Sequence, residues 1–368
     1  MSAFTSKCLT LMFVAVSMIA DAAAQENPMQ FLSRANAKTA RAASLKNKWD
    51  GPVDGPRLVK GKKIVLIAQD LRDAGVLAIL NNMREAGAAG AWEVLFIDCR
   101  GNCSTGAGLI KQAIDMKANG IVLVGVDVAT QAKGLPLAAD AHIPVVGWHA
   151  SGKTGATDGL FTNIGTQPKE AGQIAAMATI ADSNGKAGIV VLTDNTNPYL
   201  AQRAAGITEV IKQCESCRLL SVEDVPLFDS PARVRQTIEN AAKKHGNKWT
   251  HVVAVNDFYF DFLENPQIAA VFGQNKVSGV SAGDGSANAY KRIKAGAVQV
   301  GTVPEPLALH AWQLVDELNR AFNNQQPSGY HAQPHLTTSQ NISYDGGNRL
   351  TFDPSNDYKA TYKRIWGH

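Results

Sequence analysis

The chain has 368 residues, of which 45% are hydrophobic and 18% are charged, and its formal net charge is +4. This length exceeds what one hydrophobic core usually organises, so we expect two domains. The small positive charge is scattered along the chain, which argues against nucleic acid or a membrane surface as the partner.

Residues 1–24 have the pattern of a secretory signal peptide. Lys7 precedes a short apolar run, and Ala22 and Ala24 occupy the small-residue positions of a cleavage site. The run is too short to span a bilayer, and no later stretch reaches the roughly 20 uninterrupted apolar residues of a membrane helix. We therefore expect cleavage after Ala24 and an exported mature chain. A retained anchor is the alternative.

Four of the five cysteines form two local pairs in the sequence. Cys99 and Cys103 lie in CRGNC, and Cys214 and Cys217 lie in CESC, whereas Cys8 falls within the predicted signal peptide. In an oxidising compartment each pair can close a short disulfide loop. The alternatives are a zinc site made of both pairs or a redox motif at CESC, but neither pair has a nearby histidine or a thioredoxin-like setting. We favour two structural disulfides.

From residue 62 onward, short apolar runs alternate with amphipathic segments. Continuous apolar runs predict strands that are buried on both faces of a parallel sheet. A first set lies at 63–69, 92–98, 120–126 and 143–148, and a second set follows at 188–194, 217–223, 250–256, 277–283 and 297–303. Ser230 followed by Pro231 predicts a helix start in the second set. The alternation predicts an α/β fold of two doubly wound, Rossmann-like lobes of similar size.

Two flanking segments fall outside this alternation. Residues 25–59 read as a polar helix followed by a turn-rich stretch, and residues 330–368 form a tail rich in aromatic side chains. We expect both segments to pack on the lobes, with Trp49, Tyr362 and Trp366 as surface anchors rather than as binding residues.

The sequence offers little that points to catalysis. Residues 147–154 match the phosphate-loop pattern GxxxxGK[ST], but such a loop needs a helix at Lys153, and glycines follow within a few residues instead. A zinc-protease motif and a dinucleotide-binding motif are absent from the sequence, and the eight histidines do not cluster at metal-binding spacing. We therefore expect no catalytic residue, metal or cofactor.

Polar and aromatic side chains recur where the predicted strands end. Ligands of open α/β sheets bind beyond the carboxyl ends of the strands, and the residues at those positions are Gln69, Asp70, Asp127, Trp148, His149, Asp194, Asn195, Asn256, Asp257 and Asp284. Carboxylates and amides hydrogen-bond vicinal hydroxyls, while aromatic faces pack on the C–H side of a sugar ring. Each residue alone could instead cap a helix. Together they favour a ligand rich in hydroxyls.

Three motifs in this order resemble those of a known family. AVND at 254–257, AGDGS at 282–286 and TVPEP at 302–306 are similar to the type I periplasmic sugar-binding proteins, the ribose-binding protein class of ABC transporter receptors. The resemblance covers residues 60–330. It implies a monomeric periplasmic protein that is not an enzyme and that passes its ligand to a membrane permease.

The resemblance also implies a set of ligand contacts. Asn256 and Asp284 match the polar contacts of the second lobe, and Trp148 with His149 match the residues that grip the sugar from the first lobe. Asp73 matches the loop after the first strand. The hinge-side contact falls on Thr302 or Glu305.

One contact that the resemblance implies has no counterpart in this sequence. The ligand-binding arginine of the family maps near Ala201, two residues ahead of Arg203, so that contact is expected to be missing. Asn197 or Tyr199 is the expected substitute. The loop after the first strand also carries Val76 where the family usually has stacking aromatics, which implies that the pocket has diverged from that of a ribose receptor.

The resemblance suggests how the chain divides into lobes. We expect a signal peptide at 1–24, an extension at 25–59, a first lobe at 60–164 plus 303–330, and a second lobe with the tail at 165–302 plus 331–368. Three crossings near 163–167, 302–305 and 328–332 are expected to act as hinges. Two other functions stay open, namely a ligand sensor for a kinase or chemoreceptor and, with less support, a periplasmic carbohydrate hydrolase.

Overall fold

The computed structural model describes residues 26–45, 48–103, 106–157, 159–227, 229–272 and 276–368. The predicted signal peptide lies outside these residues. Across the described part of the chain, no helix is both long enough and apolar enough to cross a membrane.

The described helices and strands follow one another in the alternating order that the sequence predicts. They are α1 (Pro28–Ala42), β1 (Lys63–Ala68), α2 (Ala74–Gly87), β2 (Glu93–Asp98), α3 (Gly108–Asp115), β3 (Gly120–Val124), α4 (Leu135–Asp140), β4 (Val145–Trp148), β5 (Gly155–Thr157), β6 (Leu160–Ile164), α5 (Pro168–Asp182), β7 (Gly188–Thr193), α6 (Pro198–Gln213), β8 (Arg218–Asp224), α7 (Pro231–His245), β9 (His251–Ala254), α8 (Tyr259–Leu263), α9 (Pro266–Phe272), β10 (Ser278–Ser281), α10 (Ala287–Ala295), β11 (Gln299–Thr302), α11 (Leu307–Phe322), β12 (Thr337–Thr338) and α12 (Tyr358–Trp366).

The strands form two six-stranded sheets, one in each lobe. The first sheet has the order β2-β1-β3-β4-β6-β5, and the second has the order β12-β11-β10-β9-β7-β8. All neighbours pair in parallel except the two edge strands β5 and β12. Strands β3 and β7 are buried along their whole length, because helices cover both faces of a doubly wound sheet. The predicted pair of α/β lobes is confirmed, and Ser230 caps α7 as expected.

Two predicted local features are also visible in the fold. Cys99 and Cys103 are joined, and so are Cys214 and Cys217, so each cysteine pairs with its near neighbour. Residues 149–154 form the connection between β4 and β5, and no helix begins at Lys153. A phosphate loop is therefore excluded there, because its backbone N–H groups must open a helix.

The flanking segments pack on the lobes, but not entirely as expected. Helix α1 buries Phe31, Ala35 and Ala42 in the core of the second lobe. Helix α12, in contrast, belongs to the core of the first lobe, where Trp366 stacks on Trp312 of α11 with ring centroids 5.4 Å apart. The expected assignment of all of 331–368 to the second lobe therefore differs from the structure at 358–366. The chain returns to the first lobe because burying the Trp366 side chain there stabilises the protein more than the entropy of closing a short connection destabilises it.

Helices α5 and α6 approach each other unusually closely, and glycines make this approach possible. A Cβ on Gly172 would stand 2.0 Å from the carbonyl oxygen of Arg203, and a Cβ on Gly206 would stand 2.0 Å from that of Lys169. Only glycine leaves room for backbone at such distances. The contact fixes the position of α6, and with it the direction in which Arg203 enters the protein.

Replacing Gly172 by alanine is expected to destabilise the second lobe. The added methyl group must push α6 away, and overpacking of this kind costs about 1–3 kcal/mol or more. Urea unfolding should show the lower stability. Gly108→Ala is the matched control, because a Cβ there meets nothing within 4 Å. Equal stability of the two variants would contradict the proposed close contact.

Candidate functional site

The carboxyl ends of the two sheets face each other where the chain crosses between the lobes. Residues 165–167 connect β6 to α5, residues 303–306 connect β11 to α11, and residues 323–336 lead from α11 to β12. Side chains that follow the strands of both lobes therefore meet in one region. The connections lie close to the crossings that the family resemblance implies.

Three stacked rings join the lobes at this point. The ring of His149 lies between those of Trp148 and Tyr199, with centroid distances of 3.7 and 3.8 Å. Trp148 ends β4 of the first lobe and His149 follows it, whereas Tyr199 lies on α6 of the second. His149 holds a left-handed backbone conformation with φ of 53°, which is costly for a residue with a Cβ. The local strain directs the imidazole across the lobe boundary.

A buried ion pair lies beside these rings. The guanidinium of Arg203 donates to the Glu305 carboxylate and, through its other terminal nitrogen, to the carbonyl of Val255 at 3.0 Å. Glu305 also accepts from the Tyr199 hydroxyl at 3.1 Å and from the Thr166 hydroxyl at 2.9 Å. Arg203, Val255 and Tyr199 belong to the second lobe, whereas Thr166 and Glu305 lie on two of the three crossings.

The same carboxylate faces two histidines of the first lobe. Nε2 of His149 lies 3.4 Å from Glu305, and Nδ1 of His310 lies 3.6 Å from it. Burial alone would raise the pKa of Glu305, but His149, Arg203 and His310 together hold it well below its usual range. Burial lowers the pKa of His310 to about 4. The cluster therefore carries a charged arginine and glutamate beside a neutral His310 at physiological pH.

Two further carboxylates meet at the first turn of α2. Asp73 is the N-cap of this helix and accepts from the backbone N–H of Gly75 at 2.7 Å. Asp284 approaches from the second lobe, accepts from the Asn256 amide at 3.3 Å, and lies 3.5 Å from Arg203. Burial raises the pKa of Asp284 to about 6, with Arg203 opposing and Asp73 adding to the shift.

Four buried polar atoms of this cluster form no hydrogen bond within the described residues. They are Nε2 of His149, Nε of Arg203, Oδ1 of Asp284 and Nε2 of His310. Two of them still face an opposite charge, because His149 Nε2 lies 3.4 Å from Glu305 and Asp284 Oδ1 lies 3.5 Å from Arg203. A buried polar group without a partner costs about 1–3 kcal/mol. Such a concentration in one cluster is a feature of binding sites rather than of an ordinary core.

Two cavities flank the cluster, and each is bounded by both lobes. The larger, of about 610 Å³, lies between α2 and the ends of β9 and β10, and its walls include Asp73, Gly75, Asn256, Asp284 and Ser286. The smaller, of about 170 Å³, is lined by Gln69, Asp127, Asp194 and Asn197 among others. The larger cavity has the size of a typical small-molecule site.

The structure brings together some of the residues that the sequence singled out. Trp148, His149, Tyr199 and Glu305 form the central cluster, and Asp73, Asn256 and Asp284 line the larger cavity beside it.

The remaining predicted residues lie elsewhere. Asp70 is buried and paired with Arg72, and Thr302 donates to Asp257 inside the second lobe. Asp127 and Asn197 cap helical turns at the smaller cavity. No group of three or more His, Cys, Asp or Glu in the described part of the chain is arranged to hold a metal ion.

The expectation that the family's arginine contact to the ligand is missing stays a prediction, but an arginine nearby on the same helix enters the cluster. Arg203 is fully buried and reaches the centre of the cluster, although it does not align with the arginine of the family. Tyr199 and Arg203 are four residues apart on α6 and therefore share one helix face. That spacing was the signal in the sequence that could have placed Arg203 beside Tyr199. Thr166 and His310 were missed altogether, because nothing in the local sequence distinguishes them from ordinary crossing and helix residues.

Comparison with known proteins identifies the family. A family model described as "Periplasmic binding protein domain" matches residues 64–326, which is more than half of the chain. The chain belongs to the periplasmic binding protein family. A search of curated proteins returned no match.

Solved members of similar fold include several solute-binding proteins of ABC transporters. One from Burkholderia graminis, in complex with D-arabinose, has a TM-score of 0.66 at 16% identity, covering 78% of this chain and 98% of its own. One from Bacillus halodurans with myo-inositol has a TM-score of 0.63 at 16% identity, covering 82% and 99%. One from Actinobacillus succinogenes with D-allose has a TM-score of 0.63 at 18% identity, covering 77% and 99%. At these identities the likeness shows a shared fold.

In this periplasmic binding protein, Gly75 permits the close contact of the two lobes. A Cβ there would stand 2.9 Å from Oδ2 of Asp284 and 3.1 Å from Oδ1 of Asp73. Gly75→Val is therefore expected to hold the lobes apart and to increase the radius of gyration in small-angle scattering. Gly108→Val is the control at an exposed helix start. The same scattering curve for both variants would contradict this role of Gly75.

The buried Asp284 should make stability depend on pH. The pKa of Asp284 rises from 3.8 to about 6 on folding. Its contribution to the free energy of unfolding is therefore fully present below pH 3.8 and is lost as the pH rises through about 6. The shift corresponds to about 3 kcal/mol. We expect the unfolding free energy of the wild type, relative to Asp284→Asn, to fall between pH 4 and pH 7 in urea titrations. Parallel pH profiles would contradict the shift.

Proposed function

We propose that this chain is a periplasmic solute-binding protein that captures a small polar ligand, a sugar, polyol or related compound, and delivers it to the permease of an ABC transporter. The family is one of binding proteins rather than a class of enzymes. Proteins of similar fold are solved with D-arabinose, myo-inositol and D-allose. We further propose that the chain acts as a monomer in the periplasm, without turning over its ligand.

One observation carries the assignment of the site. The cavity of about 610 Å³ is walled by hydroxyl-binding groups of both lobes and adjoins a cluster with four buried polar atoms that form no hydrogen bond. A hydroxyl both donates and accepts, so a polyol can serve a carboxylate, an amide and a histidine nitrogen at once. Each buried group that hydrogen-bonds the ligand contributes to affinity. A ligand that leaves such a group without a partner binds more weakly, which makes the site selective.

Individual residues receive distinct roles in this proposal. Asn256 and Asp284 bind ligand hydroxyls from the second lobe, and Asp73 does so from the first. Trp148, His149 and Tyr199 form the wall against which the lobes close. Arg203 has a supporting role and does not contact the ligand. Its guanidinium lies 3.5 Å from Asp284 and donates a hydrogen bond to Glu305, which holds both carboxylates in place.

Closure of the lobes is the proposed mechanism. Contacts from both lobes to one ligand are available only when the lobes meet, so binding shifts the population toward the closed form. Glu305 lies on one crossing and accepts a hydrogen bond from Thr166 on another. This bond links two hinge segments to the cluster beside the cavity, so that ligand binding there can affect both hinges. The permease would then recognise the closed pair of lobes.

The test is a binding titration with alanine variants at Asp284 and Asn256. Each removes a buried hydrogen-bond partner, so affinity for the bound member of a panel containing D-arabinose, myo-inositol and D-allose should fall at least about tenfold. Asp115→Ala is the control, since this carboxylate is exposed and pairs with Lys111 of the same helix. Unchanged affinity in both site variants would reject the site.

Two further measurements separate binding with closure from the alternatives. Small-angle scattering should show a smaller radius with saturating ligand, and an identical radius would reject the closure mechanism. Ligand recovered intact after prolonged incubation would agree with a binding protein. A converted ligand would favour the hydrolase instead.

A further inference from the structure

The C-terminal tail crosses from one lobe to the other beside the larger cavity. Ile342 and Phe352 pack against Tyr290 and Ile293 of α10 in the second lobe. A few residues later, α12 is anchored in the core of the first lobe. The tail is therefore held at both ends, and the segment between its anchors cannot move far from the mouth of the cavity.

This tail supplies part of the cavity wall. Residues 349–353 line the cavity together with α2 of the first lobe and the start of α10 of the second. Thr351 is half-buried there, and Leu350 holds a left-handed conformation with φ of 54°. The two lobes alone would leave this side of the cavity open.

Resting on the function proposed above, we propose that residues 349–353 form a subsite for a second, uncharged, hydroxyl-bearing unit of the ligand. The first unit binds at Asp73, Asn256 and Asp284, where the cavity meets the central cluster. The second unit extends along α2 toward Thr351. The ligand is then longer than a single sugar ring, such as a neutral disaccharide or glycoside.

The charges around the subsite favour an uncharged unit. Arg349 pairs with Asp353 at 3.5 Å, Lys359 pairs with Glu85 at 2.8 Å, and Arg72 binds Asp70 through Nε at 2.9 Å. Each cation that lines the cavity thus has an acidic partner within the protein. A carboxylate on the ligand would have to compete with these pairs, whereas hydroxyls can bind to Asn82, Ser286, Asn288 and Thr351 without breaking them.

The experiment compares matched ligands on the full chain and on a variant that fills the subsite. Affinities are measured by calorimetry for D-glucose, L-arabinose and D-galactose, for maltose, cellobiose and lactose, and for D-glucuronic and D-galacturonic acid. Thr351→Trp places a large side chain in the subsite. Arg349→Ala is a milder second variant, and Arg364→Ala, on the exposed face of α12 outside the cavity lining, is its control.

We expect the wild type to bind a neutral disaccharide more tightly than its component sugars. Thr351→Trp should lower the disaccharide affinity at least tenfold and change the monosaccharide affinity less than twofold. Arg349→Ala should lower the disaccharide affinity a few-fold, whereas Arg364→Ala should not. Thermal unfolding of each variant establishes that it is folded, and Arg349→Ala serves as the test should Thr351→Trp unfold.

The other outcomes separate the subsite from the proposed function. Binding of monosaccharides alone, or an equal effect of Thr351→Trp on both sugar classes, overturns the subsite and leaves the binding function standing. Tighter binding of the uronic acids overturns the assignment of an uncharged unit. Failure of the wild type to bind any compound of this panel or of the polyol panel above overturns the proposed function itself.

Discussion

The buried pair of Arg203 and Glu305 is the interaction around which the two lobes are arranged. Arg203 enters from α6 of the second lobe, Glu305 stands on a crossing, and the Glu305 carboxylate binds Thr166 on another crossing. Both side chains are fully buried. Removing either partner would leave an uncompensated charge in the interior, which typically costs 3–5 kcal/mol. The pair therefore requires that α6 and the crossings keep one relative position.

Backbone packing delivers the arginine to this place. Gly172 and Gly206 let α5 and α6 touch at the level of their backbones, and the carbonyl of Arg203 lies at that contact. The tight helix pair thus acts as a rigid support for a charged group. A buried pair seldom adds much to stability compared with an apolar core, so its use here is better explained by the geometry it specifies.

The flanking segments give this chain features that the matched family region does not include. The family model ends at residue 326, whereas the tail continues to α12 and lines the larger cavity on the way. Trp49 of the N-terminal extension packs against Tyr330 and Tyr362, with ring centroids 5.0 and 5.5 Å away. Aromatic side chains thus attach both extensions to the same part of the first lobe. The two lobes are consequently linked by more chain than the three crossings alone.

The sequence by itself determined the architecture and predicted the region of the candidate site. Short continuous apolar runs that alternate with amphipathic segments are typical of strands covered on both faces, so their order was enough to predict two α/β lobes. Polar residues after the strands pointed to the facing carboxyl ends. The sequence could not determine which of those residues meet. Asp127 and Asp284 look alike as strand-end carboxylates, yet one caps a helical turn at the smaller cavity and the other faces Asp73 across the lobes. Arg203, Thr166, His310 and the tail reached the site only through long-range packing, because contacts between residues far apart in the chain depend on how helices and lobes dock rather than on any local pattern.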